Sequence, residues 1–212
     1  MLVGERMSKP VITISPSMPI TEALNLMKKE RIRRAPIVKD GKLVGIVSDK
    51  DLLNASPSPV TTLSIWEMNY LLSKVTVSEV MTANVMTITE DTPIEQAARV
   101  MVDNKIGGLP VMRDGHVVGI ITETDLFKVF LELLGAREPG VRVTVLIEDQ
   151  PGVLAQITEA ISEKKGNFVS FGQFTGENPS NKIVTFKVRG MSPDDVRDAI
   201  NPVVKEILDL RS

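Results

Sequence analysis

The sequence predicts an α/β chain in the α+β sense. Two β-α-β-β-α units pack as a pair, and a C-terminal ferredoxin-like β-α-β-β-α-β unit follows. Three observations carry this. Displaced by 74 residues, Val3–Leu52 falls on Val77–Leu126 without a gap. Nineteen of those 50 positions are identical, among them Met7/Met81, Pro19/Pro93, Pro36/Pro110, Gly45/Gly119 and Asp51/Asp125. Each copy also sets an Asp-Gly dipeptide, Asp40-Gly41 or Asp114-Gly115, between two apolar runs, the signal of a tight hairpin. Beyond Glu138-Pro139-Gly140 the repeat stops and a different alternation of strand and helix patterns begins.

Within each copy the elements follow in order. A short extended piece (Val11–Ile14; Val85–Ile88) leads to a turn at Pro19 or Pro93. A helix follows, with apolar residues at Ile20, Ala23, Leu24 and Met27, and at Ile94, Ala97, Ala98 and Met101, the spacing of one buried face. Ala35–Val38 and Leu109–Met112 read as strands, paired through the hairpin with Leu43–Val47 and Val117–Ile121; a second helix starts after Ser48 or Thr122. A unit of about 50 residues is small for an independent core, and two copies together bury a shared one. Between them, Ser56-Pro57-Ser58-Pro59 breaks the chain. Residues 62–73 then read as a connector helix whose Trp66 and Tyr70, at i,i+4, either pack it onto the pair or form a partner-docking surface.

The third unit reads as strand Val141–Glu148, helix Pro151–Lys165 closed by Gly166-Asn167, strand Phe168–Thr175, a turn at 176–181, strand Lys182–Arg189, a helix to Ile200 and a last strand around Val203–Leu210. Ser192-Pro193-Asp194-Asp195 supplies a helix start: cap, proline in the first turn, acids toward the dipole. The expected domains are 1–60 and 77–135 for the repeats, 61–76 for the connector, 136–140 for a linker and 141–212 for the last unit.

Composition excludes several function classes. With 25 Lys plus Arg against 27 Asp plus Glu, the net charge of −2 argues against a nucleic-acid binder. No cysteine removes disulfides, thiolate metal sites and cysteine nucleophiles. A single histidine, His116 at a hairpin tip, leaves no histidine metal cage or triad. The apolar runs are far shorter than a membrane helix, and the first ten residues lack a signal-peptide stretch. The expectation is a cytoplasmic, non-catalytic protein that binds neither membrane nor nucleic acid and uses no catalytic cofactor or metal.

One pattern carries chemistry. Gly45-Ile46-Val47-Ser48-Asp49-Lys50-Asp51 and Gly119-Ile120-Ile121-Thr122-Glu123-Thr124-Asp125 share Gly-apolar-x-Ser/Thr-x-x-Asp where a strand runs into a helix. Ser/Thr with an acid three residues later makes a capping box. The same geometry offers backbone N–H groups and a hydroxyl to a phosphate, and a carboxylate able to accept two hydrogen bonds from a ribose diol.

The duplication, the strand prolines Pro36 and Pro110, and this motif at the same place in both copies resemble a tandem CBS-domain pair, the Bateman module, over residues 1–135. The resemblance implies a regulatory sensor of an adenine nucleotide or adenosyl ligand such as AMP, ADP, ATP or S-adenosylmethionine. It implies one site at Thr13, Ile14, Ala35, Ile37, Ser48 and Asp51 and another at Thr87, Ile88, Leu109, Val111, Thr122 and Asp125. The copies differ before the strand proline: Arg33-Arg34 stand against Gly107-Gly108, and Lys50 against Thr124. On the family pattern those three cations favour phosphorylated ligands at the Asp51 site. Asp149-Gln150-Pro151-Gly152-Val153-Leu154, between the first strand and helix of the third unit, resembles the loop of an ACT domain. That implies an amino-acid site at Asp149, Gly152, Leu154 and Asn167, or a purely dimerising role. The order CBS–CBS–ACT is similar to AcuB-type proteins, named for acetoin utilisation. A homodimer reporting to a protein target is implied.

Overall fold

Both Asp-Gly dipeptides close two-residue hairpins with φ positive at each central residue: Asp40 +50° and Gly41 +76°, Asp114 +49° and Gly115 +77°. That turn matches the twist of the strands it joins. The structure, a computed structural model, describes residues 1–55 and 74–212. The expected connector, with Trp66 and Tyr70, lies outside the described residues. Two compact units emerge, Met1–Leu126 and Phe127–Ser212.

In the first unit each copy builds the same series. Copy one has α1 (Val3–Arg6), α2 (Ile20–Glu30), β1 (Arg34–Lys39), β2 (Lys42–Ser48) and α3 (Asp49–Asn54). Copy two has α4 (Val77–Val80), β3 (Ile88–Thr89), α5 (Ile94–Asn104), β4 (Gly108–Arg113), β5 (His116–Thr122) and α6 (Glu123–Leu133), the last crossing into the second unit. The hairpins pair β1 with β2 and β4 with β5, with Arg34 opposite Ser48 and Gly108 opposite Thr122. The four-residue helices α1 and α4 go beyond the sequence reading.

The leading strand differs between copies. In copy two β3 runs parallel to β4, with Ile88 opposite Val111 and Thr89 opposite Met112. In copy one the expected piece Val11–Ile14 reduces to a single bridge, Ile14 to Ile37. Ile14 donates to the Pro36 carbonyl and accepts from Val38, both at 3.0 Å. The next rung would need the N–H of residue 16, and Pro16 has none.

The two copies exchange their leading segments. Val3 and Met7 pack in the core of copy two with Ala97, Met101, Leu109 and Ile121, whereas Val77 packs in the core of copy one with Ile14, Ala23, Ile37 and Leu52. Backbone bonds fix the exchange: Ser8 with Ile120 at 2.9 and 3.2 Å, Thr82 with Ile46 at 2.9 and 3.0 Å. The shared glycines follow from it. A Cβ at Gly45 would lie 2.5 Å from Met81 Sδ, and one at Gly119 would collide with Met7 Sδ. The identical pairs Met7/Met81 and Gly45/Gly119 therefore form two equivalent contacts across the copies.

The second unit holds β6 (Val141–Glu148), α7 (Val153–Glu163), β7 (Asn167–Thr175), β8 (Asn181–Arg189), α8 (Pro193–Ile200) and β9 (Glu206–Arg211). The sheet order β7-β8-β6-β9 is antiparallel between neighbours, the ferredoxin-like arrangement expected. Its core joins Val143, Val145, Ile157, Ile161 and Phe186, with Phe168 and Phe171 rings 5.4 and 6.1 Å from Phe186. The Ser192 hydroxyl accepts the Asp195 N–H at 3.1 Å and donates to its carboxylate at 2.6 Å, the cap expected. Gly135, at φ +56°, ends α6: Ala136 donates to the Leu131 carbonyl at 2.9 Å. Among the described residues no helix is long and apolar enough to cross a membrane.

Candidate functional site

Ser48 leaves β2 extended (φ −107°, ψ 161°) and turns the chain into α3. Its hydroxyl accepts the Asp51 N–H at 3.2 Å, and Asp51 Oδ2 accepts the Ser48 N–H at 2.8 Å and the Ser48 O–H at 2.6 Å. The capping box is therefore formed. Both bonds fall on one carboxylate oxygen; Oδ1 takes no hydrogen bond from the described residues. In copy two the Asp125 Oδ2 accepts the Thr122 N–H at 3.1 Å and O–H at 2.7 Å, and Asp125 is 5% exposed.

Ser48 and Asp51 line a cleft of about 430 Å³, within the range of roughly 300–1,000 Å³ typical of small-molecule sites. Copy one supplies Arg34, Ile46 and Val47 as well. The facing wall belongs to copy two: Thr82, Asn84, Val85 and Met86 on the leading segment, and Asn104 to Gly108 between α5 and β4. The exchange of leading segments creates this cleft, because Thr82 bonds Ile46 and carries residues 84–86 across β2. Lys105 closes α5 in the left-handed region at φ +53°, with Ile106 donating to the Met101 carbonyl at 3.0 Å. Arg31 closes α2 the same way at φ +54°, so this helix end is a feature of the repeat.

Of the residues expected at the Asp51 site, the structure brings Arg34, Ser48 and Asp51 together. Ile14, Ala35 and Ile37 are at most 1% exposed and pack in the core of copy one, outside the cleft lining. Thr13, Arg33 and Lys50 are exposed and also outside it; Arg33 contributes a backbone carbonyl to the Asp49 N–H at 3.0 Å. The cations on the cleft are Arg34 and Lys105. Sequence reasoning missed the whole copy-two wall. The signal that could have found it was the pairing of shared methionines with shared glycines, which requires the copies to cross. At the second motif, Leu109 and Val111 are fully buried in the core of copy two, Ile88 is half-buried and packs against it, and Thr87 is exposed.

In the second unit Gly152 caps α7 at φ +93°, and a Cβ there would meet nothing within 4 Å. The glycine is required by its backbone conformation. Asp149 pairs with Lys182 at 3.3 Å, and Leu154 packs against the core. Asn167 lies elsewhere. Glu148 pairs with Asn181 at one end of β8 and Asn167 with Arg189 at the other. Eight residues of strand, about 26 Å at 3.3 Å each, separate them. The four expected ligand residues therefore do not converge within one chain. One cleft in this unit is lined by other residues, among them Lys128, Leu131 and Arg137.

Comparison with known proteins places these features. The CBS domain family matches residues 3–58 and 77–132, and the TTHA0829-like ACT domain matches residues 139–211. A CBS domain-containing protein of Dictyostelium discoideum is 34% identical over 65% of this chain and 97% of its own length. L-aspartate semialdehyde sulfurtransferase of Methanocaldococcus jannaschii is 37% identical over 61% of this chain, which spans only 23% of that enzyme. Among solved structures, the CBS domain pair of protein MJ0100 in complex with 5′-methylthioadenosine and S-adenosyl-L-methionine is 36% identical, with a TM-score of 0.52 over 65% of this chain and 98% of that one. A putative acetoin utilization protein (AcuB) from Vibrio cholerae is 32% identical, with a TM-score of 0.53 over 65% and 96%. CBSX2 in complex with AMP is 32% identical, with a TM-score of 0.52 over 62% and 97%.

Proposed function

Because this chain belongs to the CBS-domain family and carries its CBS pair ahead of a TTHA0829-like ACT domain, we propose that it is a non-catalytic sensor of adenosyl compounds whose primary site is the Asp51 cleft. The observation that carries this reading is the division of labour within one carboxylate. Asp51 Oδ2 is spent on the Ser48 cap, while Oδ1 is left to accept from a ribose diol on the wall of a nucleotide-sized cleft. Arg34 and Lys105 give that wall positive charge for a phosphate. The adenosyl ligands named for the MJ0100 pair and CBSX2 support the ligand class.

Ligand acts by favouring one packing of copy one against copy two, since the cleft takes a wall from each; a protein target reads the difference. Asp125, buried beneath its cap, is the secondary site. The ACT domain assembles a cytoplasmic homodimer. An amino-acid site using Asp149, Gly152, Leu154 and Asn167 together needs a second chain to bring Asn167 to the loop, which ties any such ligand to assembly. A thermal-shift screen with adenosine, AMP, ADP, ATP, S-adenosylmethionine, 5′-methylthioadenosine and amino acids tests the reading. A ligand at 100 times its Kd adds about 2.7 kcal/mol of stability. No shift with any adenosyl compound would overturn the sensor role and leave a constitutive scaffold.

A further inference from the structure

Among the described residues, one charge pair crosses between the copies at this cleft, and it has no counterpart under the repeat. Arg34 stands opposite Ser48 in the β1–β2 hairpin and lines the Asp51 cleft, yet its guanidinium reaches over Gly107 of copy two to Glu123, with Nη2 3.8 Å from Oε2. Gly107 makes the room. A Cβ there would sit 2.5 Å from Arg34 Cζ and 2.6 Å from Glu123 Oε2. The 74-residue offset turns Arg34 into Gly108 and Glu123 into Asp49, so the mirror-related pair does not exist.

We propose that Glu123 is an internal competitor for Arg34, so that the Asp51 cleft ranks adenosyl ligands by whether they carry a phosphate able to take the guanidinium from it. The inference rests on the adenosyl reading of the cleft and adds the residue that sets its selectivity. The pair is loose: at 3.8 Å, with the Arg34 and Glu123 side chains 29% and 58% exposed, it holds Arg34 weakly. A phosphate offers the planar fork two oxygens at once and more charge than one carboxylate. Arg34 therefore moves from Glu123 to ligand at small cost when a phosphate is present, and stays with Glu123 when the ligand is neutral. The device is one-sided, since it needs the arginine in copy one and the glycine in copy two.

Titration calorimetry with AMP and adenosine on the full chain tests it, using Glu123→Gln, Arg34→Gln and the double variant, each first checked for an unchanged circular-dichroism melt. The readout is the ratio of AMP to adenosine affinity. Glu123→Gln should raise that ratio about two- to fivefold, the range an exposed ion pair is worth. Arg34→Gln should lower it about tenfold or more, as loss of a charged hydrogen bond does. In the Arg34→Gln background, Glu123→Gln should leave the ratio where it is. A ratio unmoved by Glu123→Gln, or raised equally without Arg34, would overturn the competitor role while leaving adenosine binding, and the sensor reading, intact. Absence of both AMP and adenosine binding to the folded wild type would overturn the reading of the cleft and the inference together.

Discussion

Replacing Asp51 by asparagine separates the two uses of its carboxylate. The variant keeps a carbonyl oxygen able to take the place of Oδ2, which accepts the Ser48 N–H at 2.8 Å and the Ser48 O–H at 2.6 Å. The cap then loses charge assistance but not its bonds, a cost of about 0.5–1 kcal/mol. The other oxygen becomes an amide NH2, a donor where a ribose diol needs an acceptor. Losing charged hydrogen bonds there costs about 1.5–3 kcal/mol, roughly 10- to 150-fold in affinity. Calorimetric titration with AMP and adenosine, beside urea unfolding of the same preparations, reads both numbers. The expected outcome is an affinity loss several times larger, in free energy, than the stability loss. Asp125→Asn should show the reverse weighting. That carboxylate is 5% exposed, and weakening its buried bonds costs about 1–3 kcal/mol of stability. If Asp51→Asn leaves both affinities within a factor of two while stability falls by the capping amount, Asp51 is a cap and nothing more.

Gly119→Ala places a methyl against Met7 Sδ and 3.0 Å from its Cγ, so overpacking should cost about 1–3 kcal/mol; in a double-mutant cycle by urea unfolding, Met7→Ala with Gly119→Ala should cost less than the sum of the two. Gly45→Ala against Met81 should behave alike, and additive costs in both cycles would contradict the crossed packing. Gly152→Val should destabilise the C-terminal unit by about 1–3 kcal/mol through its φ of +93°, without changing AMP affinity; an unchanged hydrogen-exchange profile in residues 141–211 would refute the strain. Glu79 accepts from the Thr76 N–H at 2.8 Å and hydroxyl at 2.9 Å, and these bonds, the backbone one foremost, lower its carboxyl below the ordinary 4.5. The group binds its proton more readily unfolded, so its stabilisation is full above pH 4.5 and is lost as pH falls through the lower folded value. Glu79→Gln should flatten that acid limb of the unfolding curve, and an unaltered limb would show that Glu79 contributes nothing to it.

What the sequence discloses is what depends on neighbours along the chain. The Asp-Gly turns, the Ser48 and Ser192 caps and the apolar faces of α2 and α5 are set by residues within four positions, and each forms where its pattern puts it. The cleft is different, since its second wall exists only because Thr82 bonds Ile46 across the copies. Carrying the family pattern over within one copy names Ile14, Ala35 and Ile37, whose side chains lie in the core, and does not reach Asn84, Lys105 and Gly107. The same limit governs Asn167. A β-α-β crossover makes β6 and β7 parallel, so the start of β7 lies at the end of the sheet away from the loop after β6. Arg34 was legible as a charge missing from copy two, but its reach over Gly107 to Glu123 is a fact of packing.

Amide chemical-shift mapping with adenosine tests the central claim, an adenosyl site built between the two repeats, most directly. The account predicts saturable shifts at Ser48 and Asp51 in copy one together with Thr82, Asn84, Lys105 and Gly107 in copy two. Shifts confined to Thr13 and its copy-one neighbours, or no saturable shift at all, would contradict it.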